Sequence, residues 1–331
     1  MSIQDGIAFF HDDYVPLREA NVNVMTHSFM YGTAVFEGIR AYWNAEQKEL
    51  YVFRLREHFE RMVDSMKIMH LETKYSIDQL CEIVKELMRR NKAQSDMYIR
   101  PAVYKCGQKI GPGLDKNPSD IVIITLPFGD YFAQPELKVQ VSSWRRVEDN
   151  AIPARAKIVG AYVNTALAIT DAHNAGFDDS IVLTESGHVS EGSAMNLFMV
   201  KNGKLYTPST TENILEGITR NTVMEMVKNE FGWDVYPRSI DRSELYTADE
   251  IFCCGTGAQI TPIIEIDKRV LSGGKAGPIT CKVRDAYIDI CRGKKPAYQK
   301  WLSPVYKTSA KEPSKAEIDE STVIERVIRS L

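Results

Sequence analysis

Residues 160–232 read GAYVNTALAITDAHNAGFDDSIVLTESGHVSEGSAMNLFMVKNGKLYTPSTTENILEGITRNTVMEMVKNEFG. A helix-like segment ended by Gly176 is followed by three strand-like runs, SIVLT (180–184), NLFMV (196–200) and KLYTP (204–208), before helical spacing resumes at TRNTVMEMVKNEFG (219–232). Asn202 and Gly203, between the last two runs, are the strongest short hairpin signal in the chain. Strands and helices alternate irregularly, which predicts an α+β fold rather than a doubly wound parallel sheet.

Towards the C-terminus, EIFCCGTGAQITP (250–262) is a strand running into a small-residue turn, and PITCKVRDAYIDIC (278–291) is a helix with Pro278 at its first position. In the other direction, LKVQVSS (137–143) opens the same unit and WRRVEDNAIPARAK (144–157) has no clear periodicity. PFGDYFAQPE (127–136), with two prolines and a glycine, marks a boundary. The division is a small mixed N-terminal domain over 1–128, a linker over 129–136, a larger domain over 137–306 and a polar extension over 307–331 with a weak Val323, Val327, Leu331 stripe.

The N-terminal unit reads as a hairpin-rich sheet covered by two amphipathic helices. IAFF (7–10) and YVPL (14–17) flank the turn HDD, and VFEGIRAYW (35–43) and ELYVF (49–53) flank NAEQK. Leu55, Phe59, Met62, Val63, Met66 and Met69 recur at helical spacing, and Ser76 with Gln79 forms a capping box ahead of the second helix. MYIRPAVYK (97–105) and IVIITL (121–126) supply further strands. The loop between them, CGQKIGPGLDKNP (106–118), is long enough to be expected at a functional mouth.

Composition narrows the classes of function. In 331 residues, 41 Lys+Arg stand against 44 Asp+Glu, which argues against a nucleic-acid surface, and no run of about 18 apolar residues suggests a membrane span. The N-terminal MSIQDGIAFFHDD lacks the character of a signal peptide, so a cytoplasmic protein is expected. Six cysteines show no CxxC pair or metal-ligand spacing and are expected to be reduced, with Cys253 and Cys254 as buried small hydrophobes.

Two segments have the form of phosphate sites: Gly217 ahead of the helix start at Ile218 and Thr219, and the turn Gly255-Thr256-Gly257. Lys157, followed by apolar residues and Gly160, is a candidate for Schiff-base chemistry if it is desolvated. Glu191 could face a cationic ring nitrogen. No HExxH, GxSxG, Walker loop or helix-opening GxGxxG is present. A lysine, an acid and two phosphate-type loops are the partners that pyridoxal 5'-phosphate requires. Taken singly, each of these residues has an ordinary alternative: an exposed lysine, a turn carboxylate, a helix cap.

YGTAVFEGIR (31–40), FRLREHFERM (53–62), MYIRP (97–101), AKIVGAY (156–162), VSEGSAMNLF (189–198), LEGITR (215–220) and CGTGAQITPI (254–263) occur in this order. Together they closely resemble the branched-chain amino acid aminotransferases of the fold-type IV, class IV pyridoxal-phosphate family, over roughly residues 6–306. The resemblance implies a two-domain fold-type IV enzyme, with a small α/β domain, a larger domain carrying a β-barrel-like sheet, and the cofactor between them. It implies that Lys157 carries the cofactor and shuttles the proton at the substrate Cα. Glu191 would pair with the pyridine nitrogen, Tyr162 would bond the cofactor O3′, and Arg61, Ile218, Thr219 and Thr256 would hold the phosphate. Thr256, Gly257 and Ala258, with Tyr98, resemble the group that holds the substrate α-carboxylate. Phe36, Tyr31, Tyr131 and Tyr162 resemble the walls of the side-chain pocket, Gly38 lies in the same segment as Phe36, and Arg100 resembles the arginine that meets the distal carboxylate of glutamate. Neighbouring-subunit contacts would complete the site, implying a homodimer or an assembly of dimers. Ala161, Ala194 and Met195 depart from common family residues and make the pocket neighbourhood less polar.

The expected reaction is reversible amino transfer from L-leucine, L-isoleucine or L-valine to 2-oxoglutarate. Rivals on the same fold are a D-amino acid aminotransferase, an (R)-amine transaminase and an aminodeoxychorismate lyase; a rival of another class is a cofactor reservoir without turnover. An apolar pocket combined with one arginine for a distal acid favours the branched-chain reading.

Overall fold

The computed structural model of the protein describes residues 6–307. Seven strands build most of a first sheet: β1 (Ile7–Phe10), β2 (Asp13–Pro16), β3 (Ala34–Phe36), β4 (Ile39–Asn44), β5 (Glu49–Phe53), β6 (Met97–Lys105) and β7 (Ser119–Pro127). All their pairings are antiparallel, in the order β5-β4-β6-β7-β1-β2, with β3 also on β6. Among these strands lie α1 (His27–Tyr31), α2 (Leu55–Ile68) and α3 (Ile77–Arg90). Phe59 and Met62 of α2 and Leu80, Val84 and Leu87 of α3 are buried against Ile39, Leu50 and Ile99 of the sheet. Burial of each such side chain contributes about 1.5–3 kcal/mol. The capping box of α3 forms as its sequence predicts: Gln79 N–H donates to Ser76 Oγ at 3.2 Å, and Ser76 N–H to Gln79 Oε1 at 2.8 Å.

The run read as a single strand over 35–43 is broken at Glu37-Gly38. Glu37 turns a fully buried carboxylate towards α2. Gly38 leaves room for the Tyr98 phenol, which a Cβ at that position would strike.

The second sheet contains β8 (Leu137–Arg145), β9 (Asp179–Leu183), β10 (Val189–Gly192), β11 (Asn196–Lys201), β12 (Lys204–Thr207), β13 (Val235–Pro237), β14 (Glu250–Gly255), β15 (Gln259–Ile266) and β16 (Arg269–Val270). Its order is β10-β9-β8-β15-β14-β11-β12-β13, with β16 on β15. β8 runs parallel to β9 and β15, and β12 to β13, while the other pairs are antiparallel. Gly192 N–H donates to Met195 O at 2.7 Å, so β10 curls back beside β11 in a half-barrel rather than a flat sheet. The β11–β12 turn places Asn202 and Gly203 at φ of 51° and 71°, the backbone that this residue pair favours.

Helices α4 (Tyr162–Asn174), α5 (Ile218–Phe231), α6 (Arg242–Leu245) and α7 (Pro278–Cys291) accompany this sheet. Val223 and Met226 of α5 and Val283 and Tyr287 of α7 pack with Phe198 and Phe252, and Tyr42 and Phe53 of the first sheet join the same core. The two sheets therefore share apolar packing. The last strand, β17 (Leu302–Pro304), returns to pair with β5 of the first sheet, a return that the division at 137–306 does not anticipate. Buried Glu49 anchors the three residues after β17, accepting from the N–H groups of Val305, Tyr306 and Lys307 at 2.8–3.0 Å. Beyond Lys307, the extension read over 307–331 lies outside the described residues.

All six cysteines are free, and Cys253, Cys254 and Cys291 are buried. Among the described residues no helix is long and apolar enough to cross a membrane, and no cluster of His, Cys, Asp and Glu could hold a metal ion.

Candidate active site

A cavity of about 400 Å³ opens between the two sheets. The first sheet and α2 supply Phe36, Gly38, Arg61, Tyr98 and Arg100; the linker supplies Tyr131; the second unit supplies Lys157, Tyr162, Glu191, Ile218, Thr219, Thr256, Gly257 and Ala258. Every residue singled out from sequence lines this cavity except Tyr31. Tyr31 instead lies at the end of α1 and accepts the Gly111 N–H at 3.0 Å. The 106–118 loop packs at α1 as well, since buried His27 reaches the Gly111 carbonyl at 3.0 Å, and none of its residues lines the cavity.

Lys157 is set in place by its backbone. Residues on both sides of it run antiparallel to β3: Phe36 N–H donates to Lys157 O at 3.1 Å and Val159 N–H to Ala34 O at 2.9 Å. Its N–H is held by Ser65 Oγ of α2 at 3.1 Å. The amine is thereby delivered into the cavity, where it donates to Tyr162 Oη at 2.6 Å and lies 4.9 Å from the centre of the Phe36 ring. A two-glycine contact, Gly32 against Gly160, lets the two backbones approach this closely; a Cβ at Gly32, whose φ is +68°, would meet Gly160 at 2.8 Å.

Glu191, only 3 % exposed, accepts from Arg146 at 2.8 Å, from Asn196 Nδ2 at 2.9 Å and from the Leu215 N–H at 3.2 Å. Burial pushes its carboxyl up from the usual range, and the Arg146 guanidinium opposes that push. A second positive charge in the cavity would favour the ionised form. Asn196 also explains Gly217: a Cβ there would collide with Asn196 Oδ1. Gly217 is the N-cap of α5, no side chain caps the helix, and the first-turn residues Ile218 and Thr219 line the cavity. Backbone N–H groups at such a start, with the helix dipole behind them, attract anions.

Arg61 approaches the same region from α2. Its Nε and Nη2 donate to both oxygens of Glu37 at 2.8 and 2.7 Å, and Nη1 donates to Glu216 O at 2.9 Å. His58 Nδ1 donates to Glu37 as well, at 2.8 Å. Burial alone would raise the Glu37 carboxyl, but Arg61 and His58 outweigh it and hold it at about 2. Burial also pushes the His58 imidazole down.

Arg100 is differently placed. It donates from Nε and Nη2 to the Tyr98 hydroxyl at 3.1 and 2.6 Å, stacks 4.4 Å from the Phe36 ring centre, and has no carboxylate partner among the described residues. Across from it, Gly257 carries Tyr131 close against its Cα; a Cβ there would lie 3.1 Å from that ring.

Sequence reasoning missed Glu37, His58, Arg146 and Asn196. Glu37 had a signal, a lone acid within the apolar run VFEGI; Arg146 and Lys157 both sit in the aperiodic segment 144–157, which is irregular because it wraps the cavity.

The chain matches the amino-transferase class IV family over residues 34–266. It is 48% identical, over 306 residues, to a probable branched-chain-amino-acid aminotransferase of Aquifex aeolicus, covering 92% of this chain and 98% of that one. Among solved structures, the branched-chain aminotransferase of Thermoproteus uzoniensis with norvaline is similar at a TM-score of 0.87 and 43% identity, covering 91% of this chain and 99% of that one. The PLP form of the branched-chain amino acid aminotransferase of Thermobaculum terrenum gives a TM-score of 0.88 at 36% identity, covering 92% and 100%.

Proposed function

The chain belongs to the class IV amino-transferases, and from its likeness to their branched-chain members we propose that it exchanges the amino group of L-leucine, L-isoleucine or L-valine with 2-oxoglutarate, giving the branched 2-oxo acid and L-glutamate. Pyridoxal 5'-phosphate is the family's cofactor, and the donor set fits it: an amine at Lys157, a buried carboxylate at Glu191, and an uncapped helix start beside an arginine. When bound, it supplies a carbonyl for amine exchange and a ring that withdraws electrons from the substrate Cα.

The residues divide this work. Lys157 holds the amine that takes and returns the Cα proton, with the Tyr162 hydroxyl at 2.6 Å orienting it. Glu191, raised by burial, regains its charge opposite a protonated ring nitrogen and keeps that nitrogen protonated. Arg61 keeps N–H groups beyond those given to Glu37 and Glu216, and with Ile218, Thr219 and Thr256 it holds the phosphate. The 256–258 turn and Tyr98 take the α-carboxylate. Phe36, Tyr131 and Tyr162 receive the branched side chain, and Arg100 receives the distal carboxylate of glutamate. The observation that carries this reading is Arg100 without a carboxylate partner, on an aromatic wall, in the cavity that Lys157 enters.

A homodimer-based assembly belongs to the same proposal. Phe29 and Ile110 are 67 % and 71 % exposed, and with Met30 and Tyr31 they present an apolar face suited to a second copy. A cytoplasmic location is likewise proposed. The testing experiment is an amino-donor panel of L-leucine, D-alanine and (R)-1-phenylethylamine with 2-oxoglutarate as acceptor. Turnover with L-leucine far above the other two is expected; preference for either of the others would replace this reading with a rival on the same fold.

A further inference from the structure

Arg40 of β4 is 3 % exposed, and its guanidinium is spent on backbone carbonyls. Nη1 donates to Gly257 O at 3.0 Å, and Nη2 donates to Phe128 O at 3.1 Å and Gly129 O at 2.8 Å. The guanidinium also lies 5.0 Å from the Phe128 ring centre, and its buried Nε has no acceptor. Among the described residues Arg40 has no carboxylate within ion-pair distance, whereas the cavity's Arg61 and Arg146 have Glu37 and Glu191.

Two other buried cations also lack a carboxylate among the described residues. Lys105 donates to the carbonyls of His70 and Asn117, and Arg220 to the carbonyl of Pro208 and the hydroxyl of Thr207. None of those acceptors lines the cavity, while Gly257 and Phe128 do. Burying an arginine without a counter-charge is costly, so its location needs a reason. Geometry supplies one. In a trans peptide the C=O and the following N–H point in opposite directions, so fixing the Gly257 carbonyl on Arg40 aims the Ala258 N–H away from Arg40. Arg40 also ties the 128–129 segment, which leads into Tyr131, to the turn whose Gly257 Tyr131 covers.

We propose that Arg40 is a positioning residue for the substrate α-carboxylate: it orients the Thr256–Ala258 turn through the Gly257 carbonyl and locks that turn to the aromatic wall at Tyr131. The inference rests on the reading of that turn as the α-carboxylate site. The arriving carboxylate then provides, across the turn, the negative charge that Arg40 lacks.

The role differs from that of Arg100 in a measurable way. Leucine and glutamate share the α-carboxylate but not the distal one, so Arg40 must affect both equally. The test uses holoenzyme carrying Arg40→Met or Arg40→Lys, with 4-methylpentanoate, a carboxylate without an amine, titrated against the cofactor absorbance. Binding is expected to weaken about tenfold or more in Arg40→Met and by less in Arg40→Lys, since lysine reaches fewer carbonyls. KM is expected to rise by the same factor for leucine and for glutamate, with kcat little altered and the cofactor band of the free holoenzyme unchanged. Should Arg40→Met fail to fold, Arg40→Lys still decides, because unchanged 4-methylpentanoate affinity there overturns the proposal. A loss confined to glutamate, or a fall in kcat at unchanged KM, overturns it as well. If the wild-type holoenzyme itself does not bind 4-methylpentanoate in competition with leucine, the carboxylate reading of the turn fails, and Arg40's role with it.

Discussion

Arg61 and Arg100 enter one cavity and are held in opposite ways. Arg61 faces a fully buried glutamate that takes two of its N–H groups, and a helix-start carbonyl takes a third. Arg100 meets only a phenol and an aromatic face. An arginine neutralised by the fold serves as a fixed cradle that can stay charged whether or not a ligand is present. One stacked on aromatics, without an anion, retains its charge for a carboxylate that comes and goes. This difference lets one pocket accept both a branched apolar side chain and the acid of glutamate: the cation lies flat on Phe36 for the first and is available to the second.

Removing the charge that makes the Arg61 end permanent should have the largest effect. Glu37→Gln leaves Arg61 and His58 buried without their anion, and breaking a buried pair from one side costs about 3–5 kcal/mol. Because Glu37 is held at about 2 in the folded state, below the ordinary glutamate value, its contribution is complete above about pH 4.5 and is lost as pH falls towards 2. Denaturant unfolding followed over that window should show wild-type stability falling with acid, and the variant lacking that part of the slope. Equal acid sensitivity in both proteins would mean that Glu37 does not carry the charge assigned to it.

At the other end, Arg100→Leu should weaken the glutamate half-reaction by about 2–5 kcal/mol, the usual effect of removing one partner of a buried charge pair. Leucine should lose far less. Single-turnover cofactor conversion with each amino acid separately reads the two losses, and equal losses would make Arg100 structural.

The smallest change sharpens the same contrast. Tyr98→Phe removes the hydroxyl that accepts from Arg100, with an expected effect of about 1 kcal/mol on glutamate affinity, the net value of one hydrogen bond. A glutamate defect as large as that of Arg100→Leu would mean that the phenol, rather than the guanidinium, carries recognition of the distal acid.

Local features were the most legible in the sequence. The Asn202-Gly203 hairpin, the Ser76/Gln79 box and Pro278 at the start of α7 each depend on residues within a few positions of one another, and each is found in the fold. Lys157, Glu191, Arg61 and Arg100 could be singled out because they lie in recognisable segments, and all four line the cavity. Their partners were hidden for a physical reason. Glu37 meets Arg61 across 24 positions and Arg40 meets Gly257 across 217, separations that periodicity and spacing rules do not reach. The break of the 35–43 run at Gly38 was equally out of view, since it is required by Tyr98, a residue on another strand. The return of β17 to the first sheet depends on Glu49 gathering three distant backbone N–H groups, which no local pattern announces.

Both arginines have meaning only if the amine between them is the one that exchanges. The most direct measurement is borohydride reduction of the holoenzyme followed by proteolysis and mass mapping. The expected result is loss of the visible or near-ultraviolet absorption band, with the pyridoxyl group fixed on the peptide containing Lys157. A pyridoxyl group found on any other lysine would contradict the account.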